Sequence, residues 1–303
     1  MHFRSQVKLC LSCGTRFNQN HWQCDRCHAE PATIDQIIAF APELAMNDES
    51  YNPELFEQLA QLEKNHFWFH ARNKLIFWVF RKYFPSSNNF LEIGCGTGFV
   101  LAGLKEVFPK LSIAGSEINA EGLKCTARRV SSAFLFQMDA RRIPYEAEFD
   151  VIGAFDVIEH IYEDAAVLQQ MHRAVRPGGG IIVTVPQHRF LWSKQDEFSC
   201  HFRRYTRGEL ISKVCCAGFT VTTVTSFVSL LLPLMIVSRF FQKNKMPTEL
   251  GSEFRLGKRV NQLLGVIMGL ERRIIQAGGR FPAGGSLLLI AKKQKKKNDE
   301  YPI

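Results

Sequence analysis

Leu91-Glu92-Ile93-Gly94-Cys95-Gly96-Thr97-Gly98 marks the point where a short apolar run, Phe90–Ile93, gives way to helical spacing over Val100–Val107. Glycines between a strand and a helix let the backbone come close to a ligand lying across the strand's carboxyl end. A turn of this kind also serves nicotinamide dinucleotides, but that fingerprint needs a glycine three residues after its second one. Phe99 stands there instead. Glu92, two residues before the loop, would repel a pyrophosphate and suits a cationic amino-acid moiety.

Outward from this turn the chain alternates. Leu111–Glu117 reads as a strand, Ala120–Val130 as a helix, Ala133–Met138 and Phe149–Phe155 as strands, and Glu163–Val175 as a helix. Arg176-Pro177-Gly178-Gly179 announces a strand at Gly180–Val185. Arg207–Cys216 is helical, Thr220–Thr225 a strand, and Ser286–Lys292 a last one. Short strands alternating with helices predict an α/β fold, a doubly wound sheet with helices on both faces. Two further strands end in acids. Glu117 can take both hydroxyls of a ribose, and Asp139 can accept from an exocyclic adenine amine. Three acids at successive strand ends around a Gly-x-Gly-x-Gly turn describe a site for a positively charged nucleoside.

These motifs, together with Phe155-Asp156-Val157-Ile158-Glu159-His160, resemble the successive motifs of class I S-adenosylmethionine-dependent methyltransferases of the type 11/12-like kind. The resemblance covers about residues 88–225. It implies a Rossmann-like seven-stranded sheet whose final strand is antiparallel. It implies S-adenosylmethionine as the cofactor, with Glu92, Gly94, Cys95, Gly96 and Gly98 near its methionine half and Glu117 at the ribose. Asp139 and Ala140 would lie near adenine, with Phe155 and Asp156 on the pocket floor.

Methyl transfer needs a base only when the acceptor must lose a proton. A histidine, with its ordinary pKa of about 6.5, suits that task, and His160 stands just after the fourth strand. Glu159 and His160 can alternatively be two ligands of a divalent metal, with His188 as a third. Trp192 and His201-Phe202-Arg203-Arg204-Tyr205 lie where acceptor loops of this fold sit. The two arginines either grip an anionic group or form a salt-bridge network at the start of the next helix. His201 joins Glu159 and His160 as a candidate catalytic residue. His160 as a base favours oxygen as the acceptor atom; the absence of the Asn/Asp-Pro-Pro-Tyr-type motif of many N-methyltransferases weakens nucleic-acid amine and protein amide acceptors and leaves small amines open. His66–Asn73, an aromatic stripe, reads either as a lid over the donor or as core.

Cys10-Leu11-Ser12-Cys13 and Cys24-Asp25-Arg26-Cys27 are two Cys-x2-Cys pairs, each able to chelate one ion from a tight turn. Four thiolates close a structural zinc site with no open position, and so few apolar residues surround them that the metal must hold this ribbon together. The five other cysteines read as ordinary core or loop residues. Residues 1–30 are therefore a zinc ribbon and 31–84 a linker and N-terminal helices. Residues 85–225 are the methyltransferase core, 226–292 an apolar and basic helical cover ending in the last strand, and 293–303 a basic tail.

The 303 residues carry 38 basic and 29 acidic side chains, a net +9, and 46% hydrophobic residues, which excludes disordered and fibrous classes. Residues 1–238 hold 24 of each sign, while 239–303 hold 14 basic and 5 acidic. A fold-wide nucleic-acid groove is therefore not indicated, whereas a local anionic contact near the C-terminus is. No signal peptide opens the chain and Phe227–Val237, an apolar hairpin-like segment, is too short to cross a bilayer. A cytoplasmic enzyme is predicted, acting on a small or lipid-like acceptor, with peripheral contact at the inner membrane face through residues 227–297. The helix predicted over Arg255–Ile275 serves that contact or simply covers the sheet. The other function class open to the sequence is a catalytically silent nucleoside-binding module whose ribbon meets protein or RNA.

Overall fold

A computed structural model describes residues 7–45, 53–242 and 256–295. Strands β1 (Lys8–Leu9) and β2 (Arg16–Phe17) pair in the ribbon, and β3 (Ala32–Ile34) and β4 (Ile37–Ala39) form a hairpin. Helices α1 (Pro53–Asn65) and α2 (Phe67–Tyr83) lead into β5 (Asn89–Ile93), α3 (Phe99–Val107), β6 (Ser112–Glu117), α4 (Ala120–Arg129) and β7 (Phe134–Gln137). Then come β8 (Phe149–Phe155), α5 (Asp164–Ala174), β9 (Val175–Pro186), α6 (Lys194–Phe198) and α7 (Arg207–Cys216). The chain closes with β10 (Thr220–Phe227), α8 (Leu232–Gln242), α9 (Lys258–Gln276) and β11 (Ser286–Lys292). Arg255, where a helix is predicted to start, and Lys296 and Lys297 of the basic tail lie outside the described residues.

The sheet order is β10-β11-β9-β8-β5-β6-β7-β4-β3. Strands β5 to β9 run parallel, and β11 inserts antiparallel between β9 and β10. The seven expected strands are all present, and two more extend the sheet. Residues 31–50, read as part of a linker, contribute the β3–β4 hairpin, whose β4 pairs parallel with β7 at Ile38↔Phe136. The seven-stranded expectation is corrected to nine.

Both faces of the sheet are covered, so its strands are apolar throughout rather than alternating with polar residues. The period of two still sorts them. Phe90, Ile113, Val151, Ile182 and Leu288 pack with Leu75 and Val79 of α2 and Leu101 and Leu104 of α3. Leu91, Ala114, Ile152, Ile181 and Leu287 pack on the other side with Val167 and Leu168 of α5 and Leu210 and Val214 of α7. Helix α7 begins at a reciprocal cap: Thr206 Oγ1 accepts from Glu209 N at 3.3 Å while Glu209 Oε2 accepts from Thr206 N at 2.8 Å. Gly218, at φ +99°, takes the chain out of it.

The ribbon packs on the core rather than standing apart. Glu146 N donates to Val7 O at 3.0 Å, Arg16 pairs with Glu146, and Trp22 meets Phe40 and Tyr145 edge to face. At the other end, Phe227–Val237 is not a hairpin: β10 ends at Phe227 and the chain turns into α8. Helix α9 straps this turn to the N-terminal helices. Its buried Glu271 accepts from Val228, Ser229 and Leu230 N–H at 2.6 to 2.8 Å, and Asn261 bridges Phe67 N and Asn65 O. Because β10 is antiparallel to β11 and β11 to β9, the β10 end lies at the same sheet edge as the carboxyl ends of β5 to β9.

Candidate active site

The glycine turn after β5 uses the freedom that only glycine supplies. Gly94 and Gly98 sit at φ +67° and +75°, and a Cβ would lie 2.5 Å from Val157 Cγ2 at the first and 2.8 Å from Thr126 Cγ2 at the second. Gly96, at φ +51°, has nothing within 4 Å of where a Cβ would be, so its backbone borders open space. Glu117 is fixed at this rim: its Oε2 accepts from Gly96 N at 3.0 Å and its Oε1 from Ile118 N at 2.8 Å.

Helices α1 and α2 close over the turn. Thr97 Oγ1 donates to Glu63 Oε2, which Arg129 also holds at 2.7 Å. Arg72 reaches from α2 to Asp156 Oδ2 at 2.5 Å, with its guanidinium 4.5 Å from the Trp68 ring. Asp156, at the end of β8, takes φ +57°, a conformation Asp tolerates better than most residues. Beside this pair lies Glu92, buried, with its Oε2 unpartnered. Burial pushes its pKa well up, and Arg72 opposes that shift. Arg72 Nε is also buried and without a hydrogen-bond partner. Phe155 and Ala140 are buried beside the cleft, and Asp139 accepts from Arg141 N at 2.8 Å and from its guanidinium.

Beyond the β8 end a loop folds back on the strand edge. Phe202 N donates to Glu159 O at 2.8 Å, and Tyr205 N to Pro186 O at 2.9 Å. These bonds bring His201 against His160, ring centroids 4.5 Å apart and nearly perpendicular. One ligand atom from each of Glu159, His160 and His201 lies within 4.8 Å of the others. His188 is not in this group: the third member is His201, which corrects the alternative read from sequence. Glu159 is fully buried, and neither carboxylate oxygen has a hydrogen-bond partner. Burial, with Asp156 adding to it, raises its pKa well above the usual range. His201 Nδ1 is 3.0 Å from Asp196 Oδ1, which also takes Arg204 at 2.8 Å. Burial opposes the charge on Asp196, but His201 and Arg204 overcome it and hold its pKa below the ordinary value.

Of the two readings for Arg203 and Arg204, the structure bears out the salt-bridge network. Arg203 pairs with Asp164 at 2.7 Å, and buried Arg204 with Asp196. Tyr205 donates to Asp164 at 2.7 Å. The aromatic stripe His66–Asn73 was recognised in the sequence, but Arg72 within it was not singled out, and neither were Glu63, Arg129 or Asp196. The Ser193-x-x-Asp196 spacing of a capping box was the available signal for Asp196.

In the ribbon, one Sγ from each of Cys10, Cys13, Cys24 and Cys27 lies within 4.8 Å of the others, the arrangement of a zinc ribbon. The two knuckles repeat one pattern. Gly14 N donates to Cys10 O and His28 N to Cys24 O, both at 2.9 Å, and Gly14 and His28 both take positive φ.

A trans-aconitate 2-methyltransferase from Azoarcus sp. (strain BH72) is 28% identical over 127 residues, covering 42% of this chain and 48% of that protein. A ubiquinone biosynthesis O-methyltransferase from Pseudomonas aeruginosa is 25% identical over 114 residues, covering 35% and 48%. The chain spans about half the length of these curated relatives. A solved S-adenosylmethionine-dependent methyltransferase from Thermotoga maritima, 15% identical, superposes with a TM-score of 0.50 over 79% of this chain and 95% of that one, which shows the shared fold. The family model described as a methyltransferase domain matches residues 59–224, more than half of the chain, and the protein belongs to that family.

Proposed function

We propose that this protein transfers the methyl group of S-adenosylmethionine to an oxygen of a small or lipid-like acceptor. One observation carries the donor assignment. The buried, unpartnered Glu92 Oε2 and Arg72 Nε stand together beside the open glycine turn, an anion and a cation suited to the ammonium and carboxylate of one amino acid. Glu117 at the rim suits a ribose, and Asp139 with Ala140 suits the adenine end. The displacement itself needs alignment and a dry site more than covalent help. His160 takes the acceptor's proton, with Glu159 and His201 beside it, which favours oxygen. Calorimetric titration with S-adenosylmethionine tests the donor site: wild type binds, and Gly96→Arg, which fills the open space, does not. Absence of binding by the wild type would sink the assignment.

Cys10, Cys13, Cys24 and Cys27 hold a structural zinc ion in this reading, since these four thiols are the whole of the ligand group among the described residues and make a closed tetrahedral set. The metal would supply the ribbon's cohesion and no catalytic step. Elemental analysis should give one zinc per chain, lost in Cys24→Ser.

We further read the acceptor as one held at a cytoplasmic anionic membrane surface. Among the described residues, every exposed large apolar side chain but Val107 comes in the chain after β8, β9 or β10, three strands whose ends share one sheet edge. Helices α8 and α9 expose Phe240, Leu263, Val266 and Leu270. They carry Arg239, Lys258, Arg259, Arg272 and Arg273 against one acid, the buried Glu271. Basic residues beside an apolar stripe suit an interfacial helix, and no described helix is long and apolar enough to cross a membrane. Sedimentation with anionic but not neutral vesicles is expected; equal, negligible pelleting with both would send the search to soluble acceptors.

A further inference from the structure

We infer that Glu159, His160 and His201 hold a divalent cation on the acceptor side of the cleft. Its purpose rests on the methyl-transfer reading above; its geometry does not. Four observations converge. Ligand atoms from the three side chains lie within 4.8 Å of one another, although the residues come from two segments about 40 positions apart in sequence. Glu159 is fully buried with both oxygens unpartnered, and a carboxylate so placed needs a proton or a cation. The nearby guanidiniums do not answer that need, since Arg72 is paired with Asp156 and Arg204 with Asp196. Lastly, Asp196 bonds His201 Nδ1, which leaves Nε2 as the ligating nitrogen in the carboxylate–histidine–metal arrangement that orients many metal sites.

Asp196 is itself fixed, accepting from Ser193 N at 2.8 Å and from Arg204. The backbone bond from Phe202 N to Glu159 O sets the spacing of the two segments. Two imidazoles and one carboxylate form a donor set for manganese, iron(II), nickel or zinc rather than for calcium or magnesium. Three protein ligands leave positions open, unlike the four thiolates of the ribbon. An acceptor hydroxyl bound at an open position loses its proton to water more readily. Its oxygen lone pair then forms the O–C bond as the S–C bond breaks, and that bonding pair stays on sulfur. The products are the methylated acceptor and neutral S-adenosylhomocysteine. With the cation in place, His160 serves as a ligand and the proton goes to water; with the site empty, His160 is the base of the reading above.

Manganese(II) is the probe, because its free aquo ion is counted directly by electron paramagnetic resonance and thiolate sites favour zinc over it. The full chain, replete with zinc in the ribbon and otherwise freed of metal by chelator, is titrated with Mn²⁺. Uptake of one equivalent is expected, weakened at least tenfold in Glu159→Gln, His201→Gln and His160→Gln. Calorimetric affinity for S-adenosylmethionine, within threefold of wild type, identifies the variants that have folded. No Mn²⁺ uptake by the wild type, or uptake unchanged in the folded variants, overturns the site. Uptake that the variants lose, in a protein that does not bind S-adenosylmethionine, supports the cation site and overturns the donor reading alone; far-ultraviolet circular dichroism then reports folding.

Discussion

The two sides of the cleft are built differently. On the donor side, charges meet in sequence-distant pairs: Arg72 with Asp156, Arg129 with Glu63, and Glu117 with the backbone of the glycine turn. Two helices that precede the sheet close over it. The acceptor side has the reverse character. It holds a buried acid with neither oxygen partnered, two imidazoles packed edge to face and a rim of exposed aromatic and aliphatic side chains. Apart from Glu92 Oε2 and Arg72 Nε, left for the donor's amino-acid end, the donor side is finished by the chain itself, whereas the acceptor side is left to be completed by something else. A cofactor common to a whole family calls for the first design, and an acceptor particular to one protein calls for the second.

Substitutions on the two sides should therefore separate binding from turnover. Gly96→Arg is expected to abolish S-adenosylmethionine binding altogether. Glu159→Gln should leave donor affinity within threefold and lower turnover by roughly 10²-fold or more, because it disables the group that removes the acceptor's proton, a step usually worth about that much. Donor binding lost in Glu159→Gln would erase the distinction.

The next contrast lies on one helix. Leu264 is 8% exposed and Leu263, its neighbour, 61%. Leu264→Ala should cost about 2–4 kcal/mol in chemical denaturation, and Leu263→Ala less than about 0.5 kcal/mol. Leu263→Glu should reduce pelleting with anionic vesicles while leaving the unfolding midpoint nearly unchanged. A large stability loss in Leu263→Glu would mean that this stripe is core after all.

The smallest expected effect is a pH dependence. His66 caps α2, accepting from Trp68 N at 3.3 Å, and burial, with His70 adding to it, lowers its pKa from 6.5 to about 4. The unfolded chain then binds a proton between pH 6.5 and 4 that the folded chain refuses, so stability falls as pH drops through that window. The full shift corresponds to about 3 kcal/mol, and partial hydration of the ring reduces it to roughly 1–2 kcal/mol. His66→Asn retains a cap and should flatten that part of the profile, read from urea midpoints across pH.

Much of the fold was legible because its signals are local. Arg207–Cys216 and Ser286–Lys292 form with the limits read from their spacing, and the glycine turn with its strand-end acids identified the sheet. The β3–β4 hairpin was not legible. Its turn is made by Asp35 and Gln36 at φ +48° and +66°, with no glycine to mark it, and each strand is three residues long. The candidate site divides the same way. Glu92 and Glu117 stand beside the motif that reveals them. Arg72 acts across 84 positions, and Asp196 matters because a loop folds His201 and Arg204 back onto it. Such closures depend on tertiary structure and leave no periodicity in the sequence.

The insertion of β11 between β9 and β10 has a consequence for how the molecule is made. Strand β10 has no partner in the sheet until residues 286–292 exist, because β11 alone joins it to β9. On a ribosome, β5 to β9 can assemble as they emerge, while β10, α8 and α9 wait for the last strand. The bonds from Asn261 to Phe67 and Asn65 wait with them, a closure across nearly 200 residues. During that interval the N-terminal helices lack their strap. The strap is thus completed only once residues 286–292 have emerged, and a nascent chain lacking β11 would carry every donor motif without β10 and the strap in place.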